Sequence, residues 1–308
     1  MRAAVIREFG EPSVVEIAEV DDPLVGPDTV LVSVRAAGVN PVDWKVVAGG
    51  LRSRIPHHLP LVPGWDVAGV VEAVGPAVTE VAPGDRVLAY ARKDHVQDGT
   101  FAEKVAVPIR AVTRIPDGIG FAPAGALPLA GLTAEQLLEA TETTKADTVL
   151  VHNAAGGVGT FAVQLAALRG ARVIGTASPG RFDYVRSLGA EPVEYGDGLA
   201  ARVRDLAPDG VDVVLDLIGG DALAATPELL ATEGRVASII DADTVAGLGG
   251  RYVFVRPDAE MLSRLVGYVA DGQVRIEVAE TYPLDRTAEA LERNRAGHTR
   301  GKIVVTVA

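Results

Sequence analysis

The run Asp147-Thr-Val-Leu-Val-His-Asn-Ala-Ala-Gly156-Gly157-Val158-Gly159 holds the residues whose spacing points most clearly to chemistry. Thr148 to Val151 are β-branched or aliphatic and predict a buried parallel strand. A glycine turn follows. From Thr160 to Leu168, apolar residues recur at helical spacing (Phe161, Val163, Leu165, Leu168), so a helix opens where the glycines end. Such a turn aims backbone N–H groups and the positive end of a helix dipole at one point, which suits a pyrophosphate. The glycines also let a cofactor approach the backbone and let helix and strand pack closely. A second strand over 172–176 completes a βαβ unit. The segment therefore predicts a dinucleotide site whose amides come from Gly156, Gly157, Val158 and Gly159.

The end of that second strand bears on which dinucleotide. NAD sites place Asp or Glu about 20 residues past the glycines, on the ribose 2′-OH. Here the chain reads Gly175-Thr-Ala-Ser178-Pro-Gly-Arg181, with no carboxylate until Asp183, inside the next helix. A hydroxyl and a guanidinium suit a 2′-phosphate, because arginine offers a two-pronged donor to phosphate oxygens. The expected cofactor is NADP(H).

Those elements must be positioned by a larger frame. The first hundred or so residues read as short strands (3–6, 30–36, 67–74, 86–89 and 103–108) separated by Asp22-Pro, Gly26-Pro, Gly75-Pro and Pro83-Gly-Asp turns. That texture predicts a largely antiparallel β domain. From about Pro123 helices and strands alternate, with strands at 149–152, 172–176, 191–195, 211–215, 235–240 and 251–255. Alternation of this kind predicts a doubly wound parallel sheet. The tail from Pro257 reads as helix, strand (276–279), helix and a last strand over 301–308. The expected division is therefore 1–120, 121–255 and a return segment at 256–308.

Composition excludes several classes. A net charge of −12 argues against nucleic acid or an anionic membrane as partner. The absence of cysteine removes disulfides and thiolate metal sites. The start, Met1-Arg-Ala-Ala-Val-Ile-Arg, lacks the apolar core of a signal peptide, and a cytoplasmic location is expected. The apolar stretch from Val149 to Leu168 is interrupted by glycines, Asn153 and Gln164, so it is expected to be strand, turn and helix rather than a membrane span. His57 and His58 are expected to be solvated loop residues, since neighbouring side chains rarely converge on one ion.

Seven motifs in order give the chain a resemblance. They are Ala37-Gly-Val-Asn40-Pro-Val-Asp43, Pro63-Gly-Trp-Asp66-Val-Ala-Gly69-Val-Val, Val81-Ala-Pro-Gly-Asp85-Arg-Val, Leu129-Ala-Gly131-Leu-Thr133-Ala, the glycine turn, Asp212-Val-Val-Leu-Asp216 and Gly297-His-Thr-Arg-Gly301-Lys302-Ile-Val. Together they resemble the medium-chain dehydrogenase/reductase superfamily, in its zinc-independent quinone oxidoreductase (zeta-crystallin-like) branch. The resemblance implies an α/β fold, with a Rossmann doubly wound parallel sheet plus a GroES-like, largely antiparallel β catalytic domain. In zinc-dependent relatives a cysteine and a Gly-His-Glu supply metal ligands; Asn40, Trp65 and Asp66 stand at those places here. No metal is expected.

The resemblance also implies roles. Asn40 lies near the nicotinamide and can donate through its amide; the alternative is a turn residue before Pro41. Thr133 faces the nicotinamide ring, or else caps a helix. Asp43 is expected to hold loop geometry. Relatives often carry a tyrosine after the Asn-Pro-Asp segment, which this chain lacks, so Lys45 or Tyr90 is left to supply or relay a proton, each equally readable as a surface or packing residue. Asn153 replaces the small residue usual at the start of the glycine turn, and asparagine tolerates unusual backbone angles. Ser178, Arg181 and Tyr195 match positions that hold the adenosine ribose and its phosphate, with Tyr195 also readable as packing. Ile218, Ser238 and Ile240 end strands at the carboxyl edge, where ligands of open α/β sheets bind. Lys302 joins the residues expected at the cofactor.

The expected activity is NADPH-dependent, zinc-independent reduction of a quinone or α,β-unsaturated carbonyl, with a small apolar electrophile as substrate. Alternatives are a non-catalytic crystallin-like or NADPH-gated protein and, among enzymes, an enoyl-thioester reductase. The uncharged run 252–255 predicts an apolar edge strand that must find a partner. With the family's habit of pairing that edge across a two-fold axis, this implies a homodimer with the nucleotide domains central.

Overall fold

Uninterrupted runs of valine, isoleucine and leucine build the middle of a six-stranded parallel sheet, buried on both faces. Across the sheet the strands run Glu191–Glu194, Arg172–Ala177, Thr148–Val151, Val211–Asp216, Leu230–Ser238 and Arg251–Tyr252. In chain order this is 3-2-1-4-5-6, the doubly wound arrangement with its switch point beside the first strand. The glycine turn leaves the sheet at that point. On one face Leu150, Ile174, Val193, Val214 and Val236 pack with Leu199, Val203, Leu223 and Val245 of the crossover helices.

The computed structural model describes residues 1–308. Met1–Leu132 and Arg256–Ala308 form one unit, and Thr133–Val255 form the other. The first unit thus runs beyond the expected boundary at 120. The short helix Phe121–Ala126 packs on the strands Thr29–Val39 and Asp66–Val74, which keeps it with the β domain. The boundary falls within the helix Pro128–Ala140.

The first unit is organised around the strand Thr29–Val39, which has three neighbours. Val30 to Ala36 pair antiparallel with Asp66–Val74, Thr29 to Ser33 with Lys104–Pro108 and Ala36 to Val39 with Lys302–Thr306. A register shift between Val34 and Ala36 marks the change of partner. Ile303 faces Val39 across the ladder, and Ala68 faces Ala36. That register brings Lys302, Asn40 and Asp66, from three distant stretches of sequence, to one end of the sheet.

Several expected elements differ in detail. The sixth parallel strand covers Arg251–Tyr252 instead of 251–255. Its neighbour ends at Ser238, so after the Val253 N–H bonds the Ser238 carbonyl (2.9 Å) no strand remains to pair with. The fifth begins at Leu230, five residues ahead of the expected 235, because the chain runs straight from the short helix Thr226–Leu229 into the ladder. The return strand is Val278–Pro283, displaced from 276–279 and parallel to Lys302–Thr306. His57 and His58 open a strand, His57–Val62, paired with Val96–Asp98, and are not in a loop. The His57 ring packs edge-on against Phe9 at 5.9 Å, and its Nδ1 bonds the Ile55 carbonyl at 2.7 Å.

Gly69 shows how closely the central ladder is packed. A Cβ there would run into the Ser33 backbone carbonyl and sit 2.8 Å from Val32 Cγ1. Gly69→Ala is expected to destabilise this unit by about 1–3 kcal/mol, since neither backbone can move without breaking the ladder. Thermal unfolding followed by circular dichroism checks it; an unchanged midpoint would contradict the packing described.

Candidate functional site

In the nucleotide-type unit the helix Gly157–Leu168 begins with Gly156 as its N-cap. Its first-turn amides, on Gly157, Val158 and Gly159, have no carbonyl of their own helix to bond. The turn that delivers them is held tightly. Asn153 sits at φ +52°, in the left-handed region its side chain tolerates, and its N–H bonds Thr176 Oγ1 at 2.9 Å. A Cβ on Gly159 would strike the Asn153 carbonyl and come within 2.8 Å of Ala154 Cα. A Cβ on Gly156 would meet the Asn153 carboxamide. Gly156 and Gly159 therefore leave no room for a side chain, which fits a pyrophosphate resting on backbone amides.

Ser178 follows the strand Arg172–Ala177 and stands immediately before the turn Pro179–Arg181. The first carboxylate beyond, Asp183, is fully exposed and accepts a hydrogen bond from Arg186 (2.8 Å). No acid stands at the strand end where a ribose 2′-OH would need one. Tyr195 follows the third strand, and more than half of it is exposed. At the next two strand ends Asp216 acts as a hub that the sequence reading missed. Its Oδ1 accepts the N–H groups of Ile218 (3.1 Å) and Gly219 (2.9 Å), and its Oδ2 accepts the Ser238 hydroxyl (2.6 Å). Ser238 Oγ in turn accepts the Ile240 N–H at 3.0 Å. Ser238 is thus fully buried and shapes the carboxyl edge through these bonds. Ile218 and Ile240 remain exposed as an apolar rim. The strand-final aspartate of Val-Val-Leu-Asp was the available signal for this hub.

The β unit holds a second cluster, built from Asn40, Asp43, Asp66 and Lys302, all buried. Lys302 Nζ donates to the Val39 carbonyl (3.0 Å) and to Asn40 Oδ1, and lies 3.8 Å from Asp66 Oδ2. Asn40 Nδ2 donates to Asp66 Oδ2 (2.8 Å) and to the Gly38 carbonyl (3.4 Å). Asp66 Oδ1 accepts the Leu129 N–H (2.7 Å), in the first turn of the helix Pro128–Ala140, where a carboxylate also complements the helix dipole. Asp43 Oδ2 accepts the Asn40 N–H (2.7 Å), and Asp43 so holds the start of the helix Pro41–Val47, as expected. Asn40 is the N-cap residue before Pro41, and both ends of its carboxamide are taken within the chain. Its turn role is thus visible directly, and no N–H is left over to reach outward. The Lys302 ammonium is drawn toward the Asp66 carboxylate, the Val39 carbonyl and the Asn40 carboxamide, which allows it to be buried.

Burial pushes the Asp66 carboxyl up to about 6, against the opposing pull of the Lys302 ammonium and its hydrogen bonds from Asn40 and Leu129. Burial likewise raises Asp43, with Asp66 adding to the rise, and lowers Lys302 although both carboxylates support its charge. Tyr90 pairs with Asp66 across the ladder, and its ring meets Trp65 edge-on at 6.2 Å. Its hydroxyl is buried without a partner, and burial holds the phenol protonated well above its ordinary range. Lys45 is half-buried with its ammonium 5.6 Å over the Trp44 ring, a packing arrangement. Thr133 lies inside the helix Pro128–Ala140 and is buried, so it does not cap that helix.

The cluster carries a pH signature. A free Asp titrates at about 3.9, below the folded value for Asp66, so the folded chain holds this proton more tightly than the unfolded chain. The stability that Asp66 contributes is complete below pH ~4 and falls as pH rises through about 6. In Asp66→Asn, the decline in unfolding free energy between pH 4 and 7 should be shallower than in the native chain, by on the order of 2–3 kcal/mol over that range. Urea unfolding at a series of pH values measures the two slopes; parallel slopes would contradict the assignment.

Comparison with known proteins agrees with this geometry. The alcohol dehydrogenase GroES-like domain family matches residues 26–117, and the zinc-binding dehydrogenase family matches residues 188–305. A chloroplastic NADPH-dependent alkenal/one oxidoreductase from Arabidopsis thaliana is 36% identical, covering 99% of this chain and 79% of its own length. Among solved structures, the quinone oxidoreductase from Coxiella burnetii superimposes with a TM-score of 0.92 at 32% identity, over 100% of this chain and 99% of that one. A mycobacterial protein complexed with NADPH superimposes with a TM-score of 0.87 at 28% identity, over 99% of this chain and 100% of the other. The parallel sheet is of the Rossmann type and the β unit is GroES-like. The chain belongs to the medium-chain dehydrogenase/reductase superfamily, in its quinone oxidoreductase branch.

Proposed function

We propose that this protein is an NADPH-dependent reductase of quinones and α,β-unsaturated carbonyls that works without zinc and as a homodimer. One observation carries the reading: a glycine-lined helix start with open amides is followed by a strand end that offers Ser178 and Arg181 and no carboxylate. The names of its relatives, an alkenal/one oxidoreductase and a quinone oxidoreductase, support the substrate class. The NADPH complex of the mycobacterial neighbour supports the cofactor.

The residues present do not suit zinc, although one matching family bears a zinc-binding description. Zinc takes thiolate, imidazole and carboxylate ligands, usually three or four of them. Asn40 and Trp65 are poor donors, and the chain has no cysteine. The one carboxylate, on Asp66, already accepts from Asn40 and Leu129 beside a lysine ammonium. A second cation there would be repelled by the first.

When bound, NADPH supplies a hydride. The amides of Gly157, Val158 and Gly159 would hold its pyrophosphate, and Ser178, Arg181 and Tyr195 would hold the adenosine end. Ile218 and Ile240 give an apolar rim that excludes water. Reduction of an enone adds hydride to the β-carbon, moves the double-bond electrons toward the carbonyl oxygen and ends with a proton taken up at the α-carbon. Thr133 is assigned to the nicotinamide face.

Steady-state NADPH oxidation against quinones, enals, enones and enoyl thioesters tests the reading. Turnover of quinones or enones should prefer NADPH over NADH and survive exhaustive chelation. Arg181→Ala should narrow that preference by about tenfold or more, since a charge-assisted phosphate contact contributes roughly 1.5–3 kcal/mol. Equal use of both cofactors, or activity lost together with stoichiometric zinc, would contradict it.

The homodimer reading rests on the sheet's last strand, Arg251–Tyr252, which is followed by the partly exposed Phe254 and has a neighbour on one side only. Light scattering at micromolar concentration should give twice the chain mass, and Phe254→Asp should shift it toward the monomer. A native monomer would contradict the reading.

A further inference from the structure

The loop after the third parallel strand is held by a single side chain. Arg202, on the helix Leu199–Leu206, donates from Nε to the Glu194 carbonyl (3.0 Å) and from Nη1 to the Asp197 carbonyl (2.9 Å). Its Nη2 donates to the carbonyls of Tyr195 and Gly196, both at 3.3 Å. One guanidinium thus gathers four consecutive carbonyls, a task its rigid fork can perform and a lysine ammonium cannot. The loop would otherwise be loose, because Gly196 (φ +87°) and Gly198 (φ +76°) both adopt backbone angles that place few limits on glycine. Tyr195 sits on this loop with more than half of its surface exposed. Little packing fixes such a side chain, so its position follows from the backbone, and the backbone follows from Arg202.

We propose that Arg202 is a positioning residue for cofactor selectivity: by clamping Glu194–Asp197 it holds the Tyr195 phenol where it meets the adenosine 2′-phosphate. The proposal rests on the NADPH reading above and assigns the selectivity jointly to Arg202 and Tyr195, alongside Arg181. Four of the five N–H groups of Arg202 are engaged on the loop, so its part is to position Tyr195. The loss of the clamp should therefore be felt through Tyr195 alone.

Calorimetric titration with NADPH, NADH and adenosine 2′,5′-bisphosphate tests this on the full chain, for the native protein, Arg202→Gln, Arg202→Lys, Tyr195→Ala and the Arg202→Gln/Tyr195→Ala double variant. Arg202→Gln should weaken NADPH and the bisphosphate by about tenfold and NADH by less than about twofold. Arg202→Lys, which keeps the charge and the fold but not the fork, should lose most of the same selectivity. Adding Arg202→Gln to Tyr195→Ala should cost little more, since the two act through one contact. Equal losses for NADPH and NADH, unchanged binding, or fully additive losses would overturn the proposal. A native chain that binds NADPH and NADH equally would overturn the cofactor reading itself, a distinct outcome.

Discussion

The buried ammonium of Lys302 is the constraint on which the β unit depends. It lies at the meeting point of three chain segments and satisfies the Val39 carbonyl, the Asn40 carboxamide and the field of Asp66 at once. Two carboxylates without a cation could not remain there, because each buried charge without a partner costs several kcal/mol. The lysine also fixes the asparagine amide: its oxygen is held toward the cation, so its nitrogen must face Asp66. Asp66 then reaches the first turn of the helix that carries Thr133. One cation thereby ties the last strand of the chain to the start of a helix more than a hundred residues earlier in sequence.

The nucleotide-type unit solves a different problem with a similar device. Its edge must present open amides and apolar side chains without collapsing, and Asp216 does this by drawing the strand-end loops inward. With Ile218 N–H, Gly219 N–H and the Ser238 hydroxyl all on one carboxylate, the two isoleucines are left facing outward. The glycine turn is shaped by exclusion, since Cβ atoms at Gly156 and Gly159 would strike the Asn153 segment. In both units acidic side chains receive backbone N–H groups.

Much of the fold was legible because its signals are local. A valine-rich run, a glycine turn and a helical period lie within one stretch of sequence, and the first four parallel strands lie within one residue of their expected bounds. The short sixth strand was overestimated because its length depends on where Ser238 stops its neighbour, a fact of pairing and not of local pattern. The acid–lysine cluster was not legible for the same reason. Lys302, Asn40 and Asp66 meet only through the register of the strand Thr29–Val39 with two partners, one of them from the end of the chain. Asn40 therefore read as an outward donor and Lys302 as a cofactor ligand, whereas their polar atoms are turned toward each other. The Arg202 clamp was equally hidden, because nothing in composition distinguishes an arginine on solvent from one that gathers four carbonyls.

Lys302 and Asp66 are energetically coupled in the β unit, each offsetting part of the other's cost of burial. A double-mutant cycle on equilibrium unfolding, with Lys302→Met, Asp66→Asn and the two combined, measures this coupling directly. Each single change should cost about 3–5 kcal/mol, because it leaves one charge buried without its partner, and the double variant should cost clearly less than their sum. Strictly additive losses would contradict the claim.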